Sequence, residues 1–237
     1  MTRPNILIIN SDQHRVDSLC CYGHDIVKTP NLDRLAAMGM RFDNAFTPAP
    51  LCCPARQSLL CSQVPEKHGC LWNYGAGSGH AMGGLPPETD VWPRRLRQAG
   101  YRTAYFGKWH VNPDVDPTGF GFEKYSGLEN YPGRRPAKNS WNDLTDICGV
   151  GIYDEGETET SRTHASAYDC IATIKEYAEG DAPWHVRLDY TEPHLPCFPT
   201  REFLNMYDPD ELAPWGSFDE EFAEKPYIQN QQLDNWN

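Results

Sequence analysis

Hydrophobic and polar positions along the chain follow the two periods that are typical of strands and helices. Residues 5–10 centre on four consecutive apolar residues, which predicts a strand buried on both faces. Thr29–Gly39 has the features of a helix that begins with a threonine cap and ends at glycine, with Leu32 and Leu35 on its apolar stripe. Residues 40–46 alternate in polarity and predict a second strand.

The alternation of strands and helices continues to residue 190. After a helical stretch that begins near residue 55, the sequence predicts a helix over 90–99, a strand over 101–106, a helix over 161–178 and a strand over 184–190. The predicted apolar face of the last helix consists of Ala167, Ile171, Ile174 and Ala178. Residues 111–160 are rich in Gly, Pro, Asn and Asp without a sustained period, which predicts an irregular segment. Such alternation predicts an α/β fold with a mainly parallel sheet.

Polar clusters follow three of the predicted strands. They are Asp12-Gln13-His14, Lys108-Trp109-His110 and Glu192-Pro193-His194. Because parallel α/β sheets bind ligands beyond the carboxyl ends of their strands, the three clusters are expected to meet in one site. Each residue alone also has a structural explanation, such as a capping carboxylate, a solvated lysine or a packed histidine.

Composition and charge exclude two classes of partner. The chain has 33 Asp and Glu against 21 Lys and Arg, a formal net charge of −12, which disfavours binding to nucleic acid. The acidic residues are concentrated in residues 201–237, a segment that contains nine Asp and Glu but only two basic residues. No apolar run approaches the roughly 18 residues of a membrane helix, and the N-terminus lacks a signal-peptide pattern. A cytoplasmic location, with no membrane partner, is therefore expected.

The nine cysteines lack the spacing of a structural zinc site, and most are expected to be buried free thiols. Cys52 differs from the others, because Cys52-Cys53-Pro54-Ala55-Arg56 places it at the start of a helix. Taken alone, this pentapeptide fits two interpretations. One is a buried cysteine pair beside a helix-starting proline. The other is a nucleophilic or modified Cys52 whose negative charge is held by helix N–H groups and by Arg56.

Six sequence elements resemble, in the same order, those of the sulfatase family within the alkaline phosphatase superfamily. They are Pro4-Asn5-Ile6-Leu7 with Ser11-Asp12-Gln13, Cys21-Tyr22-Gly23, Thr29-Pro30-Asn31-Leu32-Asp33-Arg34-Leu35, Cys52-x-Pro54-x-Arg56, Gly107-Lys108-Trp109-His110 and Pro193-His194-x-Pro196. A match of six ordered elements is far more specific than any one of them. The resemblance implies an alkaline phosphatase-like α/β fold with helices on both faces of the sheet, and hydrolysis of a sulfuric ester.

The resemblance also implies a modified cysteine and one divalent cation. In this family the motif cysteine is oxidised to formylglycine, whose hydrate is the nucleophile, so Cys52 would be the catalytic residue. Asp12, Gln13 and the oxygen at Cys52 would bind the cation, which is most often Ca²⁺ and sometimes Mg²⁺ or Mn²⁺. Many sulfatases have a second aspartate where this chain has Gln13, a residue that would also contact the substrate.

Further roles follow from the same resemblance. Lys108 would hold the non-bridging sulfate oxygens, and Arg56 would stabilise the ionised hydrate. His194 would protonate the leaving oxygen, while His110 would help the hydrate to expel sulfate. Asn73 would line the substrate pocket, by similarity to the phosphonate monoester hydrolase-like members.

Parts of the family pattern have no counterpart in the 237 residues: an Asp-His pair that supplies metal ligands, a second active-site lysine and a small C-terminal subdomain. We therefore expect residues 1–237 to form the N-terminal portion of a catalytic domain, with an irregular excursion over 111–160 and an acidic segment over 201–237. The partner would be the missing C-terminal part or a second protomer.

Three functions are compatible with the sequence. The first is a sulfuric ester hydrolase that acts on a small sulfate ester. The second is a phosphonate monoester or phosphodiester hydrolase on the same scaffold, which Gln13 and Asn73 favour. The third is a catalytically incomplete protein that only binds an anion or a partner chain. Lys108 together with His110 favours the first.

Overall fold

The computed structural model describes most of the chain, with gaps. The described residues are 3–74, 83–132, 136–138, 152–154, 156–195, 197–211, 221 and 224–226. The chain divides into a large unit, Met1–Leu204, and a small unit, Asn205–Asn237. The small unit contains a 3-10 turn over Pro209–Glu211. Most of the acidic segment predicted over 201–237 lies outside the described residues.

Four parallel strands form the central sheet of the large unit. The strands β1 (Ile6–Asn10), β2 (Arg102–Gly107), β3 (Lys124–Gly127) and β6 (Trp184–Asp189) lie in the order β1-β6-β2-β3. A separate antiparallel pair consists of β4 (Pro136–Lys138) and β5 (Ile152–Asp154). The prediction of a mainly parallel sheet is confirmed.

The helices that the sequence predicts over 29–39, 90–99 and 161–178 are confirmed, and the helix predicted near residue 55 begins at Cys52. The α-helices of the described residues are α1 (Pro30–Met38), α2 (Cys52–Cys61), α3 (Pro65–His68), α4 (Trp92–Gln98), α5 (Arg162–Ala178) and α6 (Arg201–Leu204). No helix in this described part of the chain has both the length and the apolar composition needed to cross a membrane.

Helix α5 packs on one face of the sheet, where its Cys170 and Tyr177 belong to the same buried cluster as Phe106 and Leu188 of the strands. The apolar face predicted for this helix is confirmed in part, because Ala167 and Ile174 pack against this cluster, whereas Ile171 is 51% exposed and Ala178 is exposed. The residues that the helix buries are Ser166, Cys170, Thr173 and Tyr177. The buried Ser166 is tolerated because its Oγ donates to the Thr163 carbonyl oxygen of the same helix at 3.0 Å.

The opposite face of the sheet is covered by α2, by the residues around α4 and by the segment after β2. Leu60, Tyr105, Phe120 and Phe122 belong to a buried, aromatic-rich cluster on this face. The ring of Tyr105 lies edge-on to those of Trp109 and Phe122, with 5.2 Å between ring centroids in each pair. Helices therefore cover both faces of the sheet, as the resemblance implies.

Strand β1 is open on one side, which corrects the prediction of a strand buried on both faces. Its Leu7 and Ile9 side chains are 45% and 58% exposed. The strand lies at an edge of the sheet, with β6 as its one neighbour among the described strands. Leu32 and Leu35 of α1 are 44% and 65% exposed, so the apolar stripe predicted for that helix is not buried either.

Two local predictions around α1 are also wrong. Thr29 does not cap α1 with its side chain, because its Oγ1 accepts a hydrogen bond from the Cys20 amide at 3.0 Å. Residues 40–46 form no strand. Phe42 and Phe46 are 67% and 90% exposed, and alternating polarity alone does not stabilise a strand that lacks a neighbour.

The segment 111–160, predicted to be irregular, contains ordered elements in its described part. A 3-10 turn over Pro117–Phe120 leads into β3, which pairs in parallel with β2. The Asp116 side chain caps the turn by accepting a hydrogen bond from the Thr118 amide at 2.8 Å. A strand of four residues is too short to give a periodic signal in the sequence. Residues 133–135, 139–151 and 155 lie outside the described residues.

Candidate active site

Residues that follow three parallel strands meet at one edge of the sheet, as the polar clusters predict. Asp12 follows β1, Lys108 follows β2 and His194 follows β6. The Nζ atom of Lys108 lies 2.5 Å from Asp12 Oδ2. Asp12, Cys52 and His194 each place one possible metal-ligand atom within 4.8 Å of the others. The sheet thus assembles side chains from distant parts of the sequence.

A cavity of about 1210 Å³ opens over this group. Its walls include Asp12, Gln13, Cys52, Arg56 and His194. Gln13 adopts a left-handed backbone conformation, with a φ of 63°. The cavity therefore contains five of the eight site residues that the sequence analysis selected.

Cys52 is the first residue of α2 and contacts both charged partners of the site. Its Sγ atom lies 3.7 Å from Asp12 Oδ2 and 3.5 Å from Lys108 Nζ. Asn73 Oδ1 accepts a hydrogen bond from the amide of Cys53 at 2.8 Å, so it caps the helix from outside. The amides and the dipole at this helix end favour negative charge beside Cys52.

Arg56, one turn further along α2, links the ends of three strands. Its Nη1 atom donates to the Lys108 carbonyl oxygen at 2.8 Å and to Asp189 Oδ2 at 2.6 Å, and its Nη2 atom donates to Asp12 Oδ2 at 3.3 Å. Burial acts to raise the pKa of Asp12, but the opposing effects of Lys108 and Arg56 outweigh it and hold the pKa below its ordinary value. Asp12 is therefore a carboxylate in this site.

Asp189, the last residue of β6, is the fully buried acceptor behind Arg56. It also accepts hydrogen bonds from Tyr105 Oη at 2.8 Å, from Arg187 Nε at 2.8 Å and from Arg187 Nη2 at 2.7 Å. None of the three residues Asp189, Tyr105 and Arg187 was predicted as a site residue from the sequence. The available signal was a pair of charged residues at alternating positions near the end of an otherwise apolar strand, just before the cluster that contains His194.

Three predicted site residues are not among the residues that line the cavity. Lys108 is one of them, although its Nζ atom contacts Asp12; the other two are Asn73 and His110. Asn73, expected to line the substrate pocket, instead caps α2 through Cys53. The ring of His110 lies 5.9 Å from that of Tyr74, at a residue whose φ is 50°. Although His110 keeps an exposed surface, burial of its ring by the surrounding protein and the nearby charges of Lys108 and Arg56 lower its pKa to about 4. His110 is therefore neutral at ordinary pH.

The arrangement is suited to holding an oxyanion. Three buried cations, Arg56, Lys108 and Arg187, lie near two carboxylates, Asp12 and Asp189, which leaves a formal excess of one positive charge (3 − 2). Hydrogen bonds and ion pairs act more strongly in such a desolvated site than in water.

Comparisons with known proteins show the family of the chain. The sequence model of the family described as Sulfatase matches residues 4–212. The chain is 30% identical over 223 residues to the N-acetylgalactosamine-6-sulfatase of Canis lupus familiaris, a match that covers 85% of this chain and 42% of the relative. The protein belongs to the sulfatase family.

Solved structures show the same fold. One protein, determined in complex with its substrate D-glucosamine-2-N,6-O-disulfate, superposes with a TM-score of 0.69 at 22% identity over 97% of this chain and 42% of the other. The phosphonate monoester hydrolase of Agrobacterium radiobacter superposes with a TM-score of 0.66 at 24% identity over 90% and 45%. The alkaline phosphatase-like architecture is confirmed. The chain spans less than half the length of each of these three proteins.

Proposed function

We propose that this chain carries the nucleophile of a sulfuric ester hydrolase, with Cys52 converted to formylglycine. The observation that carries the proposal is the position of Cys52 at the start of α2, with Sγ within 4 Å of both Asp12 and Lys108, in a chain of the sulfatase family. The conversion is an oxidation in which the side chain loses its sulfur and two hydrogens and gains an oxygen. A separate maturation system would supply the oxidant.

The cations of the site match the charge that develops in sulfate ester hydrolysis. The hydrate of the converted Cys52 would attack sulfur, and negative charge would move to the bridging oxygen as the ester bond breaks. Lys108 would hold a non-bridging oxygen, because its Nζ atom already lies beside Cys52 and Asp12. Arg56 would stabilise the ionised hydrate from the same helix.

The two histidines divide the proton transfers in this proposal. The Nδ1 atom of His194 contacts the Leu195 carbonyl oxygen, which places the hydrogen on Nδ1 and leaves Nε2 for the leaving oxygen. That histidine must be protonated on both nitrogens when it acts as the acid. His110, which is neutral, would accept the proton when the hydrate expels sulfate and restores the aldehyde. Two different protonation states would therefore serve two successive steps.

The donor atoms fit one side of a divalent-cation site. Asp12 and the converted Cys52 would offer oxygen donors, and Gln13 lines the same cavity. The ring of His194 also has a nitrogen within 4.8 Å of this pair, but His194 would stay off the cation so that it can act as the acid. Conversion of Cys52 would replace a sulfur donor by oxygen, which Ca²⁺, Mg²⁺ and Mn²⁺ prefer. When bound, the cation would neutralise charge on the sulfate oxygens. Because Ca²⁺ takes about 6–8 ligands, we propose that a C-terminal continuation or a second protomer supplies the others.

Mass spectrometry of the peptide that contains Cys52, combined with assays of an aryl sulfate, tests the catalytic proposal. We expect the aldehyde at this position, and loss of turnover in Cys52→Ala. The matched control is Cys53→Ala, because burial raises the pKa of the neighbouring Cys53 thiol and keeps it unreactive. An intact Cys52 thiol in a protein that still hydrolyses sulfate esters would refute the proposal. Sulfate binding without turnover by the aldehyde form would instead indicate a protein that only binds anions.

Cation binding has its own test. Removal of metal with a chelator, followed by addition of Ca²⁺, should raise the thermal unfolding midpoint, because a ligand that binds only the native state stabilises it. Asp12→Asn should abolish this response. The matched control, Asp17→Asn, changes an exposed carboxylate and should leave the response intact. An equal Ca²⁺ response in Asp12→Asn would place the cation elsewhere.

The substrate we propose is a small sulfate ester. The relative from dog is named for sulfated N-acetylgalactosamine, so a 6-sulfated N-acetylhexosamine is the first sugar to assay beside an aryl sulfate. Release of inorganic sulfate is the measurement. Faster hydrolysis of a sulfated polysaccharide than of both small esters would contradict the proposal.

A second candidate function is hydrolysis of phosphonate monoesters or phosphodiesters. It is favoured by Gln13, a neutral residue that lines the cavity where many sulfatases have a carboxylate. The ratio of kcat/KM for an aryl sulfate to that for a phosphonate monoester and a phosphodiester separates the two functions. We expect the sulfate to have the higher value.

A further inference from the structure

Arg187 is a buried arginine in the wall of the cavity that contains Cys52. Its side chain is 2% exposed, and it is among the residues that line the cavity. Two of its nitrogens, Nε and Nη2, donate to the two oxygens of Asp189 at 2.8 and 2.7 Å. The third nitrogen, Nη1, donates to no atom of the residues that the structure describes. One edge of this guanidinium is therefore fixed by Asp189, and the Nη1 amino group is unused among the described residues.

Asp189 joins this guanidinium to that of Arg56. Its Oδ2 atom accepts from Arg56 Nη1 at 2.6 Å and from Arg187 Nη2 at 2.7 Å, while Tyr105 Oη approaches the same oxygen at 2.8 Å. The Cζ atom of Arg187 also lies 5.4 Å from the centroid of the Tyr105 ring. Two like charges are held close together by one fully buried carboxylate.

We propose that Arg187 is a second arginine that binds the tetrahedral oxyanion in this cavity, and that Asp189 is the positioning residue for Arg187 and Arg56. The inference rests on the proposed anion site around Cys52. Arg187 Nη1 donates to an oxygen of the sulfuryl group or of the sulfate product. Because Asp189 fixes the planar guanidinium before the anion arrives, little side-chain freedom is lost on binding.

The binding role is tested with inorganic sulfate as the probe, by calorimetric titration of the full chain against a sodium chloride control of equal ionic strength. One charge-assisted hydrogen bond is lost in Arg187→Met, so sulfate affinity should fall about tenfold. The matched control is Arg102→Met, which removes an exposed arginine from β2 and should bind sulfate as the parent does. Unchanged sulfate affinity in Arg187→Met would overturn the binding role.

The positioning role of Asp189 gives a prediction opposite in sign to simple electrostatics. Asp189→Asn removes a negative charge from the site, so electrostatic attraction alone would tighten sulfate binding. If Asp189 acts by orienting two guanidiniums, the same substitution weakens sulfate binding several-fold despite the more positive site. Equal or tighter binding in Asp189→Asn would overturn the positioning role.

A buried charge that loses its partner destabilises a protein, so folding is checked by circular dichroism before each titration. If a single variant is unfolded, the double variant Arg187→Met with Asp189→Asn removes both charges of the pair. It should bind sulfate at least tenfold more weakly than the parent, and parent-like affinity would overturn the inference. These titrations involve no turnover. Sulfate binding that depends on Arg187, in a protein that hydrolyses no ester, would refute the proposed function and leave this inference intact.

Discussion

Asn73 Oδ1 lies 2.8 Å from the amide nitrogen of Cys53, in the first turn of α2. The bond joins a residue beyond α3 to the helix end that bears Cys52. It therefore fixes the start of α2 although Leu51, the residue at the usual capping position, makes no side-chain capping bond.

Substitution of Asn73 tests this external cap. Asn73→Ala should lower the free energy of unfolding by about 1 kcal/mol, as the loss of a helix cap does. Asn73→Asp keeps an oxygen acceptor at the same place and should retain most of the stability. Urea unfolding followed by circular dichroism measures both. If the alanine and aspartate variants lose equal stability, the hydrogen bond to the acceptor oxygen at position 73 does not stabilise α2.

Gly107 ends β2 where the backbone passes very close to β6. Its φ is 92°, and a Cβ atom at this position would lie 2.1 Å from the Asp189 carbonyl oxygen. Gly107→Ala should therefore destabilise the fold by about 3 kcal/mol, since backbone must move to admit the methyl group.

Gly69→Ala is the matched control for this prediction. Gly69 has a φ of 85°, but a Cβ atom there meets nothing within 4 Å. Gly69→Ala should therefore lower the free energy of unfolding by only about 1 kcal/mol, the cost of a left-handed backbone conformation for alanine. Thermal unfolding compares the two variants, and a Gly69→Ala loss as large as that of Gly107→Ala would contradict the steric argument.

His185 makes stability depend on pH. Burial in β6, beside the rings of Trp92 and Phe122, lowers its pKa from 6.5 to about 4. Because the folded state prefers the neutral ring, this residue contributes its full stability above pH 6.5. The contribution, about 3 kcal/mol, is lost as the pH falls from 6.5 towards 4.

Urea unfolding between pH 7.5 and about 4 measures this loss. His185→Gln cannot titrate, so its stability should fall less steeply with decreasing pH than that of the parent. His164→Gln changes an exposed histidine of α5 and should follow the parent curve. Parallel curves for the parent and His185→Gln would assign the acid sensitivity to other groups.

The exposed apolar side chains of the edge strand β1 predict self-association of the protein. Leu7 and Ile9 are exposed apolar side chains on an edge strand, a combination that favours pairing between chains. The double variant Leu7→Thr with Ile9→Thr should aggregate less than the parent, as measured by light scattering, with little loss of stability. Val186→Thr, a fully buried substitution on β6, should instead destabilise the fold.

The longer helices and the strands β1, β2 and β6 were predictable from the sequence because each carries its own periodic signal. The strand expected over 40–46 and the missed strand β3 show that short segments do not. The faces of those elements were less predictable. Whether Leu7 is buried depends on which strands lie beside β1, and no local pattern contains that information. The buried face of α5 was predicted only in part, because it includes Ser166 and Thr173, which are polar by type, and the Ser166 hydroxyl is satisfied by a carbonyl of its own helix.

The residues of the candidate site were likewise predictable only in part. Asp12, Lys108 and His194 were found because polar residues at the carboxyl ends of parallel strands converge by geometry. Arg187 and Asp189 were missed because their alternating positions, although visible in the sequence, do not show that the two charges pair with each other inside the strand. Asn73 was placed in the pocket by resemblance, and its contact with Cys53 depends on how the chain returns to α2 after α3.

The contacts of Arg56 also bear on how the protein folds. Its partners Asp12, Lys108 and Asp189 are separated from it by 44, 52 and 133 residues along the chain. Contacts of such sequence separation form slowly, because long loops must close before any bond is gained. The charged residues around Cys52 thus come together only when β1, β2 and β6 have paired in register. A maturation system that acts on an extended chain would therefore bind Cys52 before Asp12, Lys108 and Arg56 lie beside it.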